Sequence, residues 1–181
     1  MLKTGRLDPL KSKLRAIELA PPPLPWRKVA TLAIGGLNSV GFDRNSELLM
    51  VLSSQGRGVI DCRSGDKVAR DYNEYYANGY LEADGIGPLY GNTIRIFLLS
   101  AGGLPAYTHD GWSVEFATLD WPVKDIFLVE PNSFLLASLY GKPEKFTKIG
   151  TEYEPVMCGF SYSGNSLVIA TSSDVAIFSR T

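Results

Sequence analysis

The chain has 181 residues, of which 45% are hydrophobic and 20% charged, and its formal net charge is -1. This composition is typical of a globular chain with a buried core, so it excludes a wholly disordered protein. The longest apolar runs are far shorter than the roughly 20 residues that a membrane-spanning helix needs. The first residues also lack the apolar core of a secretory signal. We therefore expect a cytoplasmic protein without a membrane partner.

Charge is distributed unevenly along the chain. Residues 1–28 carry seven bases and two acids, whereas residues 71–123 carry seven acids and one base. A nucleic-acid-binding protein is expected to show a basic stripe with interleaved aromatic residues, and an acidic stretch would instead repel a phosphate backbone. We therefore expect no nucleic-acid partner, and we expect the acidic stretch to attract basic proteins.

The first predicted element is a helix that begins near Asp8, because Asp caps a helix and the following proline suits its first turn. Its apolar residues recur at helical spacing, at Leu10, Leu14 and Ile17. Four prolines between residues 20 and 25 cannot continue a helix and favour an extended segment. We predict that residues 1–25 form an N-terminal helix with a proline-rich linker, and that residues 26–181 form a single domain.

Beyond Trp26 the chain consists of short β-rich runs separated by Gly, Asn, Asp and Pro, which indicates an all-β fold. One pattern recurs: a strand, a turn with Asn-Ser or Asn-Thr, and an apolar strand. Its copies start at Val40, Pro88, Ile126 and Gly159. Each copy is predicted to continue through a second turn into a third strand, for example at residues 58–62 in the first copy and at 175–179 in the last. Outer strands are predicted at 67–72 for the first copy and at 113–119 for the second.

These repeats resemble the blades of β-propellers, broadly of the WD-like type, although the Gly-His and Trp-Asp signatures of WD repeats are absent. The resemblance implies a small propeller-like fold of about four antiparallel blades. The predicted strand at residues 26–34 would complete the last blade and so remove an open sheet edge. An antiparallel β-sandwich with the same hairpins is the alternative.

Most catalytic and metal chemistries lack the residues that they need. The one histidine, His109, lies in a Thr-His-Asp-Gly turn, and we interpret it as an exposed turn residue and not as a catalytic base. Cys62 and Cys158 lie far apart in apolar runs, which favours buried free thiols over a zinc site or a disulfide. We predict no metal, no cofactor and no catalytic residue. A carboxylate pair among the nineteen acids stays open.

One segment, residues 71–88, is a long connection that is rich in tyrosines and acids and contains no base. Connections of this length usually serve a function or are disordered. Tyrosine gives a large, stiff contact area at little entropic cost, so we predict a binding surface here. The alternative is that the tyrosines, which have helical spacing, pack a short element against the domain. The predicted contact residues are Asp71, Tyr72, Glu74, Tyr75, Tyr76, Tyr80, Glu82 and Asp84, with Trp112 as a further candidate.

The leading hypothesis is a non-enzymatic protein-binding module that presents this acidic, tyrosine-rich segment to a basic protein. One concrete form is an immunity or antitoxin protein that binds a basic toxin, since opposite charges speed association. The alternative is a small hydrolase or lyase with a carboxylate pair in a central pocket. A third hypothesis is a homo-oligomer in which another chain completes the ring.

Overall fold

The computed structural model describes residues 8–181, in which one α-helix, α1 (Asp8–Arg15), precedes fourteen β-strands. The strands are β1 (Arg27–Ala33), β2 (Leu37–Phe42), β3 (Leu48–Ser53), β4 (Gly56–Asp61), β5 (Asp66–Asp71), β6 (Glu82–Asp84), β7 (Thr93–Arg95), β8 (Phe97–Leu98), β9 (Ser113–Asp120), β10 (Val123–Val129), β11 (Phe146–Tyr153), β12 (Met157–Phe160), β13 (Ser166–Ala170) and β14 (Asp174–Ser179). The described strands form several antiparallel sheets, which confirms the all-β prediction. None of these sheets is closed. None of the helices within residues 8–181 is long and apolar enough to span a bilayer.

The two larger sheets contain the first and last copies of the repeat. A five-stranded sheet has the order β5-β4-β3-β2-β8, and a four-stranded sheet has the order β1-β14-β13-β12. The first strand β1 pairs with the last strand β14, from Arg27 opposite Ser179 to Ala33 opposite Asp174. The predicted pairing of the N-terminal strand with the last repeat is therefore confirmed. The predicted outer strand of the first copy is confirmed as β5, which pairs with β4.

The two middle copies do not form the strand-turn-strand unit that the sequence predicts. In the second copy a 3-10 turn at Gly87–Leu89 replaces the first strand. Its apolar strand is split into β7, which pairs with β6, and β8, which crosses to β2. In the third copy β10 is a strand, but the apolar residues after Asn132 are not, because the chain forms a 3-10 turn at Ala137–Tyr140.

The position of β9 differs from the prediction of an outer strand for the second copy. β9 pairs with β10, whose other edge pairs with β11, so it belongs to a three-stranded sheet built around the third copy. Alternating apolar residues mark a strand, but the choice of its neighbour depends on contacts that are distant in sequence. The sequence therefore located this strand and misassigned its sheet.

Helix α1 packs on the outer face of the three-stranded sheet. Leu10 and Leu14 are buried there with Phe127, Val129 and Leu135. The helix ends at Arg15, before the prolines. Because an amphipathic helix gains most of its stability from such packing, this docking keeps a helix of eight residues folded. Two ion pairs, from Lys13 to Glu144 and from Arg15 to Asp120, join the basic N-terminal segment to the acidic body.

Candidate functional site

Residues 71–88 lie largely at the surface, and between β5 and β6 they form neither helix nor strand. The side chains of Tyr72, Tyr76 and Tyr80 are 80%, 77% and 77% exposed. Tyr75 differs, because it packs partly buried against the core cluster that contains Met50. The structure therefore divides the four tyrosines: one anchors the segment and three face solvent. A helix that buries all four does not form within the described chain.

Arg57 of β4 holds the segment against the domain. Its Nε lies 3.1 Å from Asp71 Oδ2, and its Nη1 donates to the carbonyl oxygen of Asp84 at 2.7 Å. The guanidinium carbon also lies 4.1 Å from the centre of the Tyr75 ring, a cation–π geometry. One partly buried side chain thus contacts the start, the middle and the end of the connection. We name this arrangement the Arg57 anchor.

Gly56, the residue before Arg57, explains why the segment can pass so close to β4. Its φ is +101°, a left-handed conformation that favours glycine. A Cβ at this position would lie 2.2 Å from the carbonyl oxygen of Asp71. Arg57 is not among the contact residues predicted from the sequence, so the anchor was missed. A basic residue between glycines, beside an acidic connection without a base of its own, was the available signal.

Two further arginines contact the exposed tyrosines. The Arg70 guanidinium carbon lies 4.9 Å from the centre of the Tyr72 ring. Arg95 donates from Nη1 to the carbonyl oxygen of Tyr80 at 2.6 Å. The segment has no base in its own sequence, but strands β4, β5 and β7 supply arginines beside it. Its acidity is therefore partly neutralised in the fold, which the linear charge count did not reveal.

The carboxylates of the segment are also partly engaged. Asp71 accepts a hydrogen bond from the Asn73 backbone N–H and pairs with Arg57, and these contacts lower its pKa. The Tyr76 hydroxyl donates to Glu74, and that hydrogen bond raises the pKa of Tyr76. The amide nitrogen of Asp84 donates to Tyr75 Oη at 2.8 Å. These short-range contacts give the exposed tyrosines a defined arrangement, although they lie in a connection without regular structure.

Glu82 and Asp84 belong to the short strand β6, which fixes the end of the segment. β6 pairs with β7, with Glu82 opposite Arg95. Asn78 closes the turn before β6, because its Nδ2 lies 3.3 Å from Glu82 Oε2 and its Oδ1 accepts the Tyr80 backbone N–H at 3.0 Å. Asp84 is exposed and Glu82 is half-buried.

Trp112 does not belong to this surface. It is 6% exposed and lies in the core with Trp26, whose ring it meets edge-on at a centroid distance of 6.1 Å. Its backbone N–H donates to Thr108 Oγ1 at 2.9 Å, so the turn before it is closed locally. The structure therefore places Trp112 apart from the exposed tyrosines, because Trp26, far away in sequence, packs against its ring.

The described residues bear out two of the sequence interpretations of reactive side chains. His109 is exposed in its turn. Cys62 and Cys158 are buried free cysteines, and burial raises the pKa of both thiols well above the usual range. A thiol that stays protonated is a poor nucleophile. Within residues 8–181 no group of three or more His, Cys, Asp or Glu side chains is placed to hold a metal ion.

A polar pocket of about 600 Å³ lies beside the connection formed by residues 71–88. It is lined by turn residues from several repeat copies, including Asp43, Arg44, Asn92 and Tyr162, and by Glu82 and Arg95. Asp43 and Glu82 are the carboxylates in its wall. Among the described carboxyl groups, that of Glu152 has a clearly raised pKa, because of its burial and the nearby charge of Asp174, but Glu152 does not line this pocket.

No protein-family model, no curated protein and no solved structure matches the chain.

Proposed function

We propose that this protein is a non-enzymatic, cytoplasmic protein-binding module whose contact surface is the tyrosine segment, residues 71–84. The observation that carries the proposal is the exposure of Tyr72, Tyr76 and Tyr80 on a connection that Arg57 ties down. Exposed aromatic side chains on a preorganised backbone lose little entropy when they are buried by a partner. Tyr and Arg are also among the residues that dominate binding energy at interfaces.

A basic partner suits the charges of this surface. Arg57 and Arg95 donate hydrogen bonds to backbone carbonyl oxygens of the segment, so part of the hydrogen-bonding capacity of these two arginines is already used within the protein. The carboxylates of Glu74 and Asp84 lie on exposed residues. Opposite charges at the rim of an interface speed association. An immunity or antitoxin protein that neutralises a basic toxin is one concrete form of this proposal.

The finer architecture is part of the same proposal: a small β-propeller in which the sheets serve as blades. The pairing of β1 with β14 supports it, because the outer strand of the last blade then comes from the start of the domain. A β-sandwich with the same hairpins is the competing arrangement. Because the described sheets do not close, a second copy of the chain could complete the ring. Static light scattering separates the monomer from this homo-oligomer.

The experiment is affinity capture from an extract of the organism that makes the protein, with matched baits. The test variant carries Tyr76→Ala, Tyr80→Ala and Glu74→Lys, and it spares Tyr75, because Tyr75 anchors the fold. The control variant carries Tyr140→Ala and Tyr153→Ala, which removes two comparably exposed tyrosines elsewhere. We expect a basic protein that the wild type and the control capture and that the test variant loses.

Either of two results would refute the proposal. The first is that the test variant captures the same proteins as the wild type, which would make the segment structural. The second is that the control loses the partner as well, which would show that the loss of capture is not specific to the tyrosine segment. Circular dichroism spectra of the three baits confirm that each is folded. Purified partner and bait then give dissociation constants, and a basic partner binds more weakly as salt rises.

A small hydrolase or lyase is the second candidate, because Asp43 and Glu82 line one pocket. Asp43 Oδ2, however, accepts hydrogen bonds from the Asn45 backbone N–H and from Ser46 Oγ, so it is already used to shape its turn. Hydrolysis of 4-nitrophenyl glycosides that disappears in Glu82→Gln, while the fold is kept, would favour this candidate. Equal background rates for the two proteins would exclude it for that substrate class.

A further inference from the structure

We infer that a cleft between the end of β1 and the five-stranded sheet is a second binding site, one that takes a small amphipathic anion. The cleft has a volume of about 400 Å³, within the about 300–1,000 Å³ of typical ligand pockets. This site goes beyond the proposed protein-binding function and does not depend on it. Its wall shares only the edge residue Tyr72 with the tyrosine segment.

Gly58, in the middle of β4, opens the floor of the cleft. Its φ lies outside the left-handed region, so the backbone does not require a glycine there. A Cβ at this position would meet Val51 Cγ2 at 3.4 Å and Arg70 Cδ at 3.8 Å, which are ordinary contacts. A glycine inside a strand weakens the strand and often marks a place where a ligand approaches the backbone. The missing side chain therefore leaves room between Val51 and Arg70.

The rest of the floor is apolar. Ile34, Val51 and Ile60 line the cleft and are 7%, 3% and 1% exposed. Because these side chains are packed in the core, a ligand would contact only the small part of each that faces the cleft. Tyr72, which is mostly exposed, adds an aromatic ring at the edge. An apolar chain or ring in the cleft would therefore leave water and contact a rigid surface.

Two cations stand at the rim of the cleft. Lys67 donates from Nζ to the carbonyl oxygen of Ala33 at 3.0 Å, and Arg70 donates from Nη2 to the carbonyl oxygen of Gln55 at 2.8 Å. These bonds hold the two side chains in place and leave further donors on each, since an ammonium has three and a guanidinium five. Neither side chain makes an ion pair within residues 8–181.

The charge of the cleft is one-sided. Among the described residues that line it, there is no carboxylate side chain to compete for Lys67 and Arg70. Hydrogen bonds between such cations and an anion are stronger than neutral ones. An apolar floor with cations at its rim therefore favours a ligand with an apolar body and an anionic head. A cation of the same shape would be repelled.

The experiment uses three probes with the same eight-carbon chain: sodium octanoate, octan-1-ol and octylammonium chloride. Each is titrated at constant ionic strength into the full-length ¹⁵N-labelled protein, and amide chemical shifts give the site and the dissociation constant. We expect octanoate to shift the amides of Gly35, Gly58 and Tyr72. Octan-1-ol should bind at the same place about tenfold more weakly, because it lacks the charge-assisted contacts. Octylammonium should not bind.

Variants distinguish the contribution of the anionic head of the ligand to the affinity from that of its apolar body. Lys67→Gln with Arg70→Gln should reduce the affinity for octanoate to that for octan-1-ol, while octan-1-ol binds as before. Gly58→Val should fill the cleft and abolish binding of both probes. Arg63→Gln is the matched control, because Arg63 lies in the turn between β4 and β5, is exposed and does not line the cleft.

The inference is overturned if octanoate does not bind, or if it binds no more tightly than octan-1-ol. It is also overturned if the shifts fall outside the cleft, or if the double variant binds octanoate like the control. If Gly58→Val does not fold, the double variant still tests the inference, because substitutions at the exposed positions 67 and 70 are expected to leave the fold intact. None of these outcomes bears on the capture experiment, so failure here is distinguishable from failure of the proposed function.

Discussion

Replacement of Arg57 tests whether one side chain orders the tyrosine segment. Arg57→Met keeps the aliphatic stem but removes the charged donor to the Asp84 carbonyl, a bond of 2.7 Å. Hydrogen bonds to charged groups contribute about 1.5–3 kcal/mol, and a cation–π contact such as that with Tyr75 contributes about 0.5–2 kcal/mol. The ion pair with Asp71 is not counted separately, because it involves the same guanidinium as these two contacts and neighbouring contacts are not additive.

Because neighbouring contacts are not additive, we expect the free energy that keeps the segment closed to fall by about 2–4 kcal/mol. The assay is native-state hydrogen exchange followed by NMR. The reporters are the amide of Asp84, which donates to Tyr75 Oη, and the amide of Ile96, which donates to the Leu81 carbonyl at 2.9 Å. A loss of 2 kcal/mol corresponds to about a 30-fold faster exchange of these amides.

Arg63→Met is the control, since Arg63 is an exposed arginine whose one ion pair within residues 8–181 is with Asp61, two residues away. The reasoning is refuted if the Asp84 amide exchanges no faster in Arg57→Met than in Arg63→Met. It is also refuted if exchange speeds up equally throughout the five-stranded sheet, which would show global destabilisation and not release of the segment. If the segment is released, partner affinity should fall, because binding would then have to order it.

Three further outcomes are expected. Leu14→Ala should lower the free energy of unfolding by about 2–4 kcal/mol in urea denaturation, because Leu14 is buried between α1 and the three-stranded sheet. Asp110→Asn should flatten the dependence of stability on pH in the acid range. Hydrogen bonds from Arg180 and Thr108 lower the pKa of Asp110 to about 2, below its unfolded value, so its contribution is complete above about pH 4 and is lost as the pH falls towards 2. Cys62 and Cys158 should react with Ellman's reagent only after denaturation, because both thiols are buried; rapid reaction of the native protein would contradict the packing.

Features that depend on contiguous residues could be predicted from the sequence. The hairpins β2–β3 and β12–β13 form as expected, because alternation and turn residues act over a few positions. The exposed turn at His109 and the buried cysteines follow from the same local signals. The pairing of β1 with β14 could also be inferred, since an unassigned strand at one end matched an open edge at the other.

Pairings between distant strands could not be predicted in the same way. The second and third repeat copies carry the same Asn turn signal as the others, yet β8 crosses to β2 and β9 joins β10. Local propensity states only that a residue suits a strand, and burial against other sheets decides which neighbour it takes. In the third copy the residues after Asn132 leave the sheet, and Leu135 and Ala137 are buried from a turn.

The candidate site shows the same division between sequence and fold. The sequence by itself determined that residues 71–88 are tyrosine-rich, acidic and too long for a simple turn. Only the tertiary structure decided that Tyr75 is an anchor and that Trp112 belongs to the core. It also brought Arg57 beside an acidic segment that has no base of its own. The physical reason is that charge and burial act through space, so a residue's role depends on neighbours that the linear chain does not place beside it.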